Sequence, residues 1–528
     1  MIHKEPGFRF PTLTGSSPEE LIRFHEALLF LRAYPRDREM LRQAEELLAS
    51  FSERVAQLRK EGGNLSAFEE PEVSGISGTS FTAIYSYEVA RRLAQLEAGR
   101  LAVDWDRYEV SDRLAGVWRR LIPLVEEDTL VEAHVPYREW LRAAAGGRNG
   151  SLAWLLARFE QLPLSPKDKA DLWATLELPI RWDIDDSPAA RTMSRYAPRR
   201  IFYHDGPLIR RREVSLEHEL QSPPLDAHPL DFESGQAFLN MALATSAARF
   251  RELHGFSHGD PRNTLKAVVG RGVEVLLCGV PPEHRLPLRA YHAALIFKNG
   301  VPCGYFETLS LFDRMEVGFN LYYTFREGET AWIFARVLHL FHQLLGTTCF
   351  SIDPYQIGLG NEEAIESGAF WFYQKLGFRP VLPEVARLAG QEEYKLLRRP
   401  SYRTPARKLR RMAAGPLVFE LPDAPQGDWD RFHWRRIALA VQGQAREEAA
   451  ASVSAVLGIK AGHHAEFENL ALVLDLIPDL ADWPQPDKAA LLDIVRAKMG
   501  SDESLYLRLM QGHRRLRESI RELGTPPV

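Results

Sequence analysis

One tyrosine stands in a position where its hydroxyl could do chemistry. Tyr373 lies in "GAFWFYQKLGFRPV", residues 368–381, where an apolar and aromatic run meets a lysine and a Leu-Gly-Phe step. A phenol can donate a proton to a leaving group. An aromatic run of this kind also predicts plain packing in a hydrophobic core. Both interpretations of Tyr373 stay open from these residues alone.

A second candidate is the turn "TFREGETAW", residues 324–332, which joins a predicted strand to a predicted helix. The helix is expected to begin near Gly328. The first turn of a helix has free amide N–H groups and the positive end of the helix dipole, and together they bind anions, typically phosphate. Every strand–helix unit has such a junction, so the turn alone indicates an anion site only weakly.

Histidines occur at spacings that could suit a metal. His339 and His342 are three residues apart on a predicted helix, but no third or fourth ligand follows at useful spacing, so we expect them at the edge of a core. His254, His258 and Asp260 share a loop that could line a pocket, although a polar turn is favoured.

An acidic run could bind a cation or cap a helix. The stretch "RWDIDDSP" contains Asp183, Asp185 and Asp186. We favour capping, since Asp-Ser-Pro is an ordinary helix start and Asp186 would be its first residue.

Composition limits the class of protein. The chain has 528 residues, 45% hydrophobic and 26% charged, with a net charge of −5. These values are typical of a globular protein of two to four domains and argue against nucleic acid or a membrane surface as main partner. The N-terminal 17 residues lack a signal-peptide core, and no apolar run is long enough to span a bilayer. We therefore expect a cytoplasmic protein.

Three cysteines, Cys278, Cys303 and Cys349, each lie in an apolar run that is typical of a strand. We expect small core residues in a reducing compartment rather than a disulfide framework or a zinc site.

The chain changes character along its length. Residues 1–195 are predicted mostly helical, with Ser17 as the cap of the first helix. Residues 196–400 mix strands and helices, and residues 401–528 are again mostly helical. The expected fold class is α/β (α+β): a central mixed sheet with helices, flanked by α-helical N- and C-terminal domains.

The central region has a definite order of predicted elements. Strands are expected around a turn in "RIFYHDGPLIRRREV", followed by a long helix at 234–255. Residues 271–381 then predict hairpin strands, a strand, a helix, a strand, a helix and a final strand near Phe378. Asn299-Gly300 separates two of the strands, and Asn-Gly is the strongest short hairpin signal.

The stretch "ESGAFWFYQKLGFRPV" resembles the C-terminal signature of the GNAT superfamily, Asn-x-x-Ala-x-x-x-Tyr-x-x-x-Gly-Phe. Ala369, Tyr373, Gly377 and Phe378 match it, and Glu366 stands where the asparagine is usual. The predicted order of elements also fits that family. The resemblance covers roughly a third of the chain.

The resemblance implies an acyl-CoA-dependent N-acyltransferase. Its co-substrate would be acetyl-CoA or another acyl-CoA, and its acceptor a small-molecule or peptide amine. Tyr373 matches the tyrosine that donates a proton to the CoA sulfur, and Glu316 is the candidate base, with Glu307 as a second candidate. Strand alternation puts these residues on one face: Glu316, Gly318, Asn320 and Tyr322.

The same resemblance implies a pyrophosphate-binding loop of the form Gln/Arg-x-x-Gly-x-Gly/Ala. With Gly328 as its first glycine, Phe325 replaces the Gln/Arg and Thr330 the Gly/Ala, so backbone amides would do the binding. The implied cofactor-binding residues are Tyr323, Thr324, Phe325, Arg326, Gly328, Glu329 and Thr330.

Two further interpretations stay open. The central domain could be a degenerate GNAT-like module that binds a ligand or a protein, with a protein partner on the helical flanks. Arg210, Arg211 and Arg212 could accept an acidic substrate or a CoA 3′-phosphate, although a solvated charged face is commoner.

Overall fold

The computed structural model describes residues 17–108, 113–122, 137–147, 150–399, 401–460 and 464–526. The N-terminal segment predicted to lack a signal core falls almost entirely outside these ranges. The chain is a mixed α/β protein with one large mixed sheet and many helices, which confirms the predicted fold class at that level. In the part of the chain described here, no helix combines the length and the apolar character that a membrane span requires.

The strands are β1 (Ser80–Ile84), β2 (Leu101–Val103), β3 (Pro179–Asp183), β4 (Asp226–Pro229), β5 (Thr264–Gly270), β6 (Val273–Cys278), β7 (Ala290–Lys298), β8 (Val301–Leu311), β9 (Arg314–Leu321), β10 (Cys349–Ile352), β11 (Arg379–Pro380) and β12 (Leu417–Glu420). The helices of the first half are α1 (Pro18–Ala33), α2 (Arg38–Ala49), α3 (Phe51–Lys60), α4 (Tyr87–Leu96), α5 (Arg113–Leu121), α6 (Tyr137–Ala144), α7 (Ser151–Gln161), α8 (Pro166–Ala174), α9 (Leu216–Leu220), α10 (Phe232–Ala247) and α11 (His254–His258). Those of the second half are α12 (Thr330–Leu345), α13 (Glu362–Ser367), α14 (Ala369–Gln374), α15 (Pro383–Arg398), α16 (Ala406–Met412), α17 (Trp434–Ala440), α18 (Arg446–Leu457), α19 (His464–Leu474), α20 (Gln485–Met499), α21 (Glu503–Gly512) and α22 (Arg514–Gly524).

The main sheet has the strand order β11-β12-β10-β9-β8-β7-β6-β5-β4. Strands β4 to β9 pair antiparallel in sequence order, and β10 pairs parallel to β9. The element order predicted for residues 271–381 is confirmed, with α12 between the two parallel strands. A second sheet has the order β1-β3-β2 and lies within the N-terminal region.

Local sequence explains several of these elements. The Ser17 hydroxyl accepts the Glu20 amide at 3.2 Å and caps α1, as predicted. The hairpin turn between β7 and β8 uses Asn299 and Gly300 with φ of 49° and 81°, the left-handed pair that a tight hairpin requires. Gly346 ends α12 with φ of 67°.

The two faces of the sheet belong to different hydrophobic cores. One face packs against α12 and joins a core that also contains residues of α1 and of the C-terminal helices. The other face packs, at β6 and β7, against α10 and the N-terminal region around β1–β3. Residues from all three predicted segments therefore share cores, and the domain boundaries at 195 and 400 stay a prediction.

Several local predictions are wrong. The segment 200–214 holds only a short 3₁₀ turn and no strand, and residues 188–193 form turns rather than a helix capped by Asp186. The helix expected in the stretch that begins at Gly368 is present as α14, and Gly368, whose φ is 68°, separates it from α13. Neither flank is purely helical, since β1–β3 lie before residue 195 and β12 lies after residue 400.

Candidate active site

The two parallel strands at the centre of the sheet separate before β9 ends. Pairing runs from Arg314 opposite Cys349 to Val317 opposite Ile352, and β10 stops there. Strand β9 continues to Leu321, so its last four residues have β8 on one side and no β10 neighbour on the other. In open sheets of this kind, ligands bind beyond the carboxyl ends of parallel strands. We call the opening beside residues 318–321 the strand gap.

The strand gap is narrow and lined by polar groups. A Cβ atom added to Gly318 would lie 3.9 Å from Gln356 Nε2 and 3.7 Å from the Glu307 carbonyl oxygen. These are ordinary contact distances, so glycine leaves free space there. Gln356 lies in the 3₁₀ turn that follows β10, and this turn forms the opposite wall.

Strand alternation divides the candidate residues between the two faces. Glu307 lies opposite Gly318 in the β8–β9 ladder, and Glu316 is two residues before Gly318 on the same face. The opposite face of β9 carries Phe319, whose ring lies 5.0 Å from that of Phe334 on α12. Both predicted carboxylates therefore face away from α12.

Glu307 has the environment of a general base. It is half-buried, and burial raises the pKa of its carboxyl group. Its Oε1 accepts a hydrogen bond from the Tyr291 hydroxyl at 2.5 Å, and the Tyr291 oxygen accepts the Gly255 amide at 3.0 Å. The carboxylate is thus held in one place with a proton affinity above the usual one.

Glu316 is more exposed and has a cationic neighbour. Its Oε1 lies 3.9 Å from Arg289 Nη1, and its side chain is 32% exposed. The Arg289 guanidinium lies 5.0 Å above the Trp434 ring, so the C-terminal helices reach this end of the face.

Tyr373 lies on the other side of the sheet. Its ring centroid is 5.5 Å from that of Phe334 and 5.8 Å from that of Phe378. It is 4% exposed, burial raises the pKa of its hydroxyl, and its hydroxyl has no hydrogen-bond partner among the described residues. The structure therefore does not bring Tyr373 and Glu316 together on one face. Since Phe334 also packs on Phe319, one ring separates Tyr373 from the strand gap.

The predicted cofactor loop is a compact turn with most of its amides already bonded. The amide of Phe325 bonds to the Tyr322 carbonyl at 2.9 Å, that of Arg326 to the Tyr323 carbonyl at 3.3 Å, and that of Gly328 to the Phe325 carbonyl at 3.0 Å. The Thr330 hydroxyl donates to the Arg326 carbonyl at 2.9 Å.

The N-terminal helix covers this turn. The Glu329 amide donates to the Tyr34 hydroxyl at 3.3 Å, and a Cβ atom on Gly328 would lie 2.4 Å from that hydroxyl. Tyr34 is the C-cap residue that directly follows α1. A pyrophosphate on the amides of Gly328 and Glu329 would have to displace the Tyr34 side chain, so cofactor binding there stays a prediction.

The Glu329 side chain is structural. It is fully buried, with Lys298 Nζ 3.0 Å from Oε2 and Arg271 Nη2 2.5 Å from Oε1. Burial raises the pKa of Glu329, but Arg271 and Lys298 outweigh it and hold the pKa below its usual value. Burial lowers the pKa of Lys298 to about 8. The ion pair between Lys298 and Glu329 links α12 to the β7–β8 hairpin.

Three side chains of the loop point elsewhere. Tyr323 is 65% exposed, the Thr324 hydroxyl donates to Glu26 on α1, and Arg326 pairs with Glu363 at 2.5 Å. The Arg326–Glu363 pair joins β9's end to α13 across the strand gap.

The other candidates have ordinary surroundings. His339 and His342 donate through Nδ1 to the carbonyls of Leu220 and Thr347 at 3.1 and 2.7 Å. Within the described ranges, no cluster of histidine, cysteine or acidic residues could hold a metal ion. All three cysteines are free and buried, as predicted.

Comparison with known proteins adds no family. No family model matches the chain, and no curated protein or solved structure matches it. The site therefore has to be interpreted from its own geometry. Sequence reasoning missed Tyr291 and Gly255, the residues that hold Glu307.

Proposed function

We propose that the central sheet catalyses transfer of an acyl group from an acyl-CoA to an amine, as the GNAT resemblance implies. The observation that carries the proposal is the strand gap, with the Glu307 carboxylate on one face and Tyr373 behind it on the other. A linear thioester inserted between β9 and β10 would meet the Glu307 carboxylate on one side of the sheet, and on the other side the Phe334 ring would lie between it and Tyr373.

The chemistry assigns one task to each group. The amine nitrogen attacks the thioester carbonyl carbon, a C–N bond forms, and the C–S bond breaks. Glu307 takes the proton that the amine loses, and its raised pKa suits that role at neutral pH. The departing thiolate takes a proton from Tyr373 or from solvent. Glu316, beside Arg289, lies on the same face of the sheet as Glu307, and its carboxylate would attract a cationic acceptor.

Binding of the co-substrate is the first test. Acetyl-CoA at a hundred times its Kd should stabilise the folded protein by about 2.7 kcal/mol, read as a rise in Tm. Gly318→Leu would place a bulky side chain in the strand gap, where a Cβ atom alone already reaches contact distance of Glu307 and Gln356, and should abolish the rise. Gly390→Leu is the matched control, because nothing lies within 4 Å of a Cβ atom at exposed Gly390. If neither millimolar acetyl-CoA nor longer acyl-CoAs raise the wild-type Tm, the proposal is refuted.

One observation favours a second function, that of a binding module without catalysis. The Gly328 and Glu329 amides are bonded to Phe325 and Tyr34, so the anion-binding end of α12 is occupied by the protein itself. Under this alternative, the Tyr34→Phe protein would still not bind acyl-CoA. Under the first proposal, Tyr34→Phe removes one competitor for the amide and should strengthen acetyl-CoA binding.

A further inference from the structure

An open cleft lies between α4 and α10. Its volume is about 390 Å³, which is within the range of roughly 300–1,000 Å³ that small-molecule sites occupy. The side chains that line it are those of Arg91, Arg92, Gln95, Leu96, Gln236 and Asn240. We call this opening the α4–α10 cleft.

Helical spacing gives the α4–α10 cleft a polar lining. The buried apolar residues of α4, Val89, Ala90 and Leu93, pack in the hydrophobic core that also contains residues of α10. On α10, Gln236 and Asn240 are one helical turn apart and therefore share a face. Five of the six lining side chains are polar, so the cleft suits a polar ligand rather than an apolar one.

Arg92 links the three segments that surround the cleft. Its Nη1 donates to the carbonyl oxygens of Phe256 at 3.0 Å and Ser257 at 3.3 Å, both on α11. Its Nη2 donates to Asn240 Oδ1 on α10 at 2.9 Å. Gln236 Nε2 donates to the same Asn240 oxygen at 3.0 Å. These bonds hold the guanidinium and both carboxamides in place before a ligand binds.

Other donors and acceptors of the same side chains are unused. Among the described residues, Arg92 Nε, Asn240 Nδ2 and Gln236 Oε1 have no hydrogen-bond partner. A guanidinium can donate two parallel N–H groups to a carboxylate, and a carboxamide can both donate and accept. The cleft therefore offers one charged donor group together with a neutral donor and a neutral acceptor.

The cleft carries one net positive charge. Arg91 Nη2 pairs with Glu88 Oε2 at 2.8 Å, whereas no carboxylate in the described part of the chain lies within ion-pair distance of Arg92. Burial lowers the pKa of Arg92 and Arg91 lowers it further, yet a guanidinium stays charged at neutral pH. His258 adds no charge, because burial lowers its pKa to about 4. One positive charge is therefore left for a ligand to neutralise.

We propose that the α4–α10 cleft binds a small monocarboxylate that also carries an amide or hydroxyl group. One negative charge equals the excess on Arg92, and the planar guanidinium suits two carboxylate oxygens. The carboxamides of Gln95, Gln236 and Asn240 would bond the polar remainder of the ligand. A phosphate dianion would leave one negative charge without a partner. The cleft shares no lining residue with the strand gap, so the proposal does not depend on acyl transfer.

The first experiment compares two probes of the same shape, succinamate and succinamide, in which a carboxylate replaces one carboxamide. Ligand-observed NMR titrations of the wild type should give succinamate a Kd about tenfold lower, because hydrogen bonds to a charged group are roughly twice as strong as neutral ones. Equal affinities for the two probes, or no saturable binding of succinamate, would overturn the proposal. Inorganic phosphate that binds more tightly than succinamate would also overturn it, because the cleft would then be a site for dianions.

Two variants test whether the probes bind in this cleft. Arg92→Met removes the cation and should abolish the preference for succinamate. Gln95→Glu changes an exposed side chain, brings the net charge of the cleft to zero, and should weaken succinamate binding about tenfold while succinamide binding stays unchanged. Gln442→Glu is the matched control, because it adds the same charge at an exposed glutamine outside the cleft, and it should bind both probes as the wild type does.

The outcomes separate this site from acyl transfer. A full preference for succinamate in Gln95→Glu would overturn the proposal, and this variant decides the question if Arg92→Met does not fold. A protein that binds succinamate in the cleft but shows no rise in Tm with acetyl-CoA would refute the proposed function and leave this site standing.

Discussion

Removing the Tyr291 hydroxyl should change how the protein's stability depends on pH. In Tyr291→Phe the Glu307 carboxylate loses its 2.5 Å donor, while the ring keeps its contacts with the strand. A hydrogen bond to a charged group contributes about 1.5–3 kcal/mol, and a neutral one about 0.5–1.5 kcal/mol. The substitution should therefore cost about 1 kcal/mol more when Glu307 is ionised than when it is protonated. Loss of the donor therefore raises the Glu307 pKa further.

The sign follows from proton linkage. Burial raises the pKa of folded Glu307 above its unfolded value, so between the two values the native state binds more protons. This residue's contribution to stability is therefore largest at low pH and falls as pH rises through the folded pKa. Tyr291→Phe extends that fall to higher pH and makes it deeper.

The assay is urea unfolding of wild type and Tyr291→Phe at pH 4 and pH 8. The loss of unfolding free energy should be about 1 kcal/mol larger at pH 8. The matched control repeats the substitution in Glu307→Gln, where the pH difference should vanish because no carboxyl remains. Equal losses at both pH values in the Glu307 background would refute the assignment of a tuned carboxylate.

Three other substitutions have definite expectations. Lys298→Met should lower the unfolding free energy by about 1–3 kcal/mol because the buried Glu329 carboxylate keeps Arg271 but loses its second cationic partner, and adding Glu329→Gln should recover part of the loss in urea melts. Asn299→Ala should cost about 2–4 kcal/mol, since alanine disfavours φ of 49° and the bond from Nδ2 to the Ala33 carbonyl is lost; a change under 1 kcal/mol would contradict this. Tyr373→Phe should leave stability within about 0.5 kcal/mol and lower acyl-transfer turnover about a hundredfold, whereas an unchanged rate would remove Tyr373 as the acid.

The order of elements around the site is predictable because local signals determine it. Period-two runs predict β6 to β9, the apolar face of α12 predicts the central helix, and Asn299-Gly300 predicts the hairpin. The short strands β4 and β12 carry too few residues for periodicity to reveal. Strand β12 also enters the sheet from a stretch of sequence that otherwise predicts helices.

The partner of the candidate base could not be predicted from the sequence. A regular two-residue hairpin pairs Lys298 with Val301, and continued without interruption it would put His292 opposite Glu307. The register shifts by one residue after Phe297, so Ala293 lies opposite Glu307 and Tyr291 shares its face. No local pattern marks this bulge.

The place of β12 in the sheet has a consequence for biosynthesis. Strand β12 pairs with β10 on one side and β11 on the other, so β11 reaches the sheet only through a strand made later. Until residues 417–420 emerge from the ribosome, β10 is an unpaired edge strand. Its residues Cys349–Ile352 are all buried in the folded protein, and an exposed edge of that kind pairs with other chains. Truncation between residues 380 and 417 should therefore produce a chain that aggregates rather than a smaller folded protein.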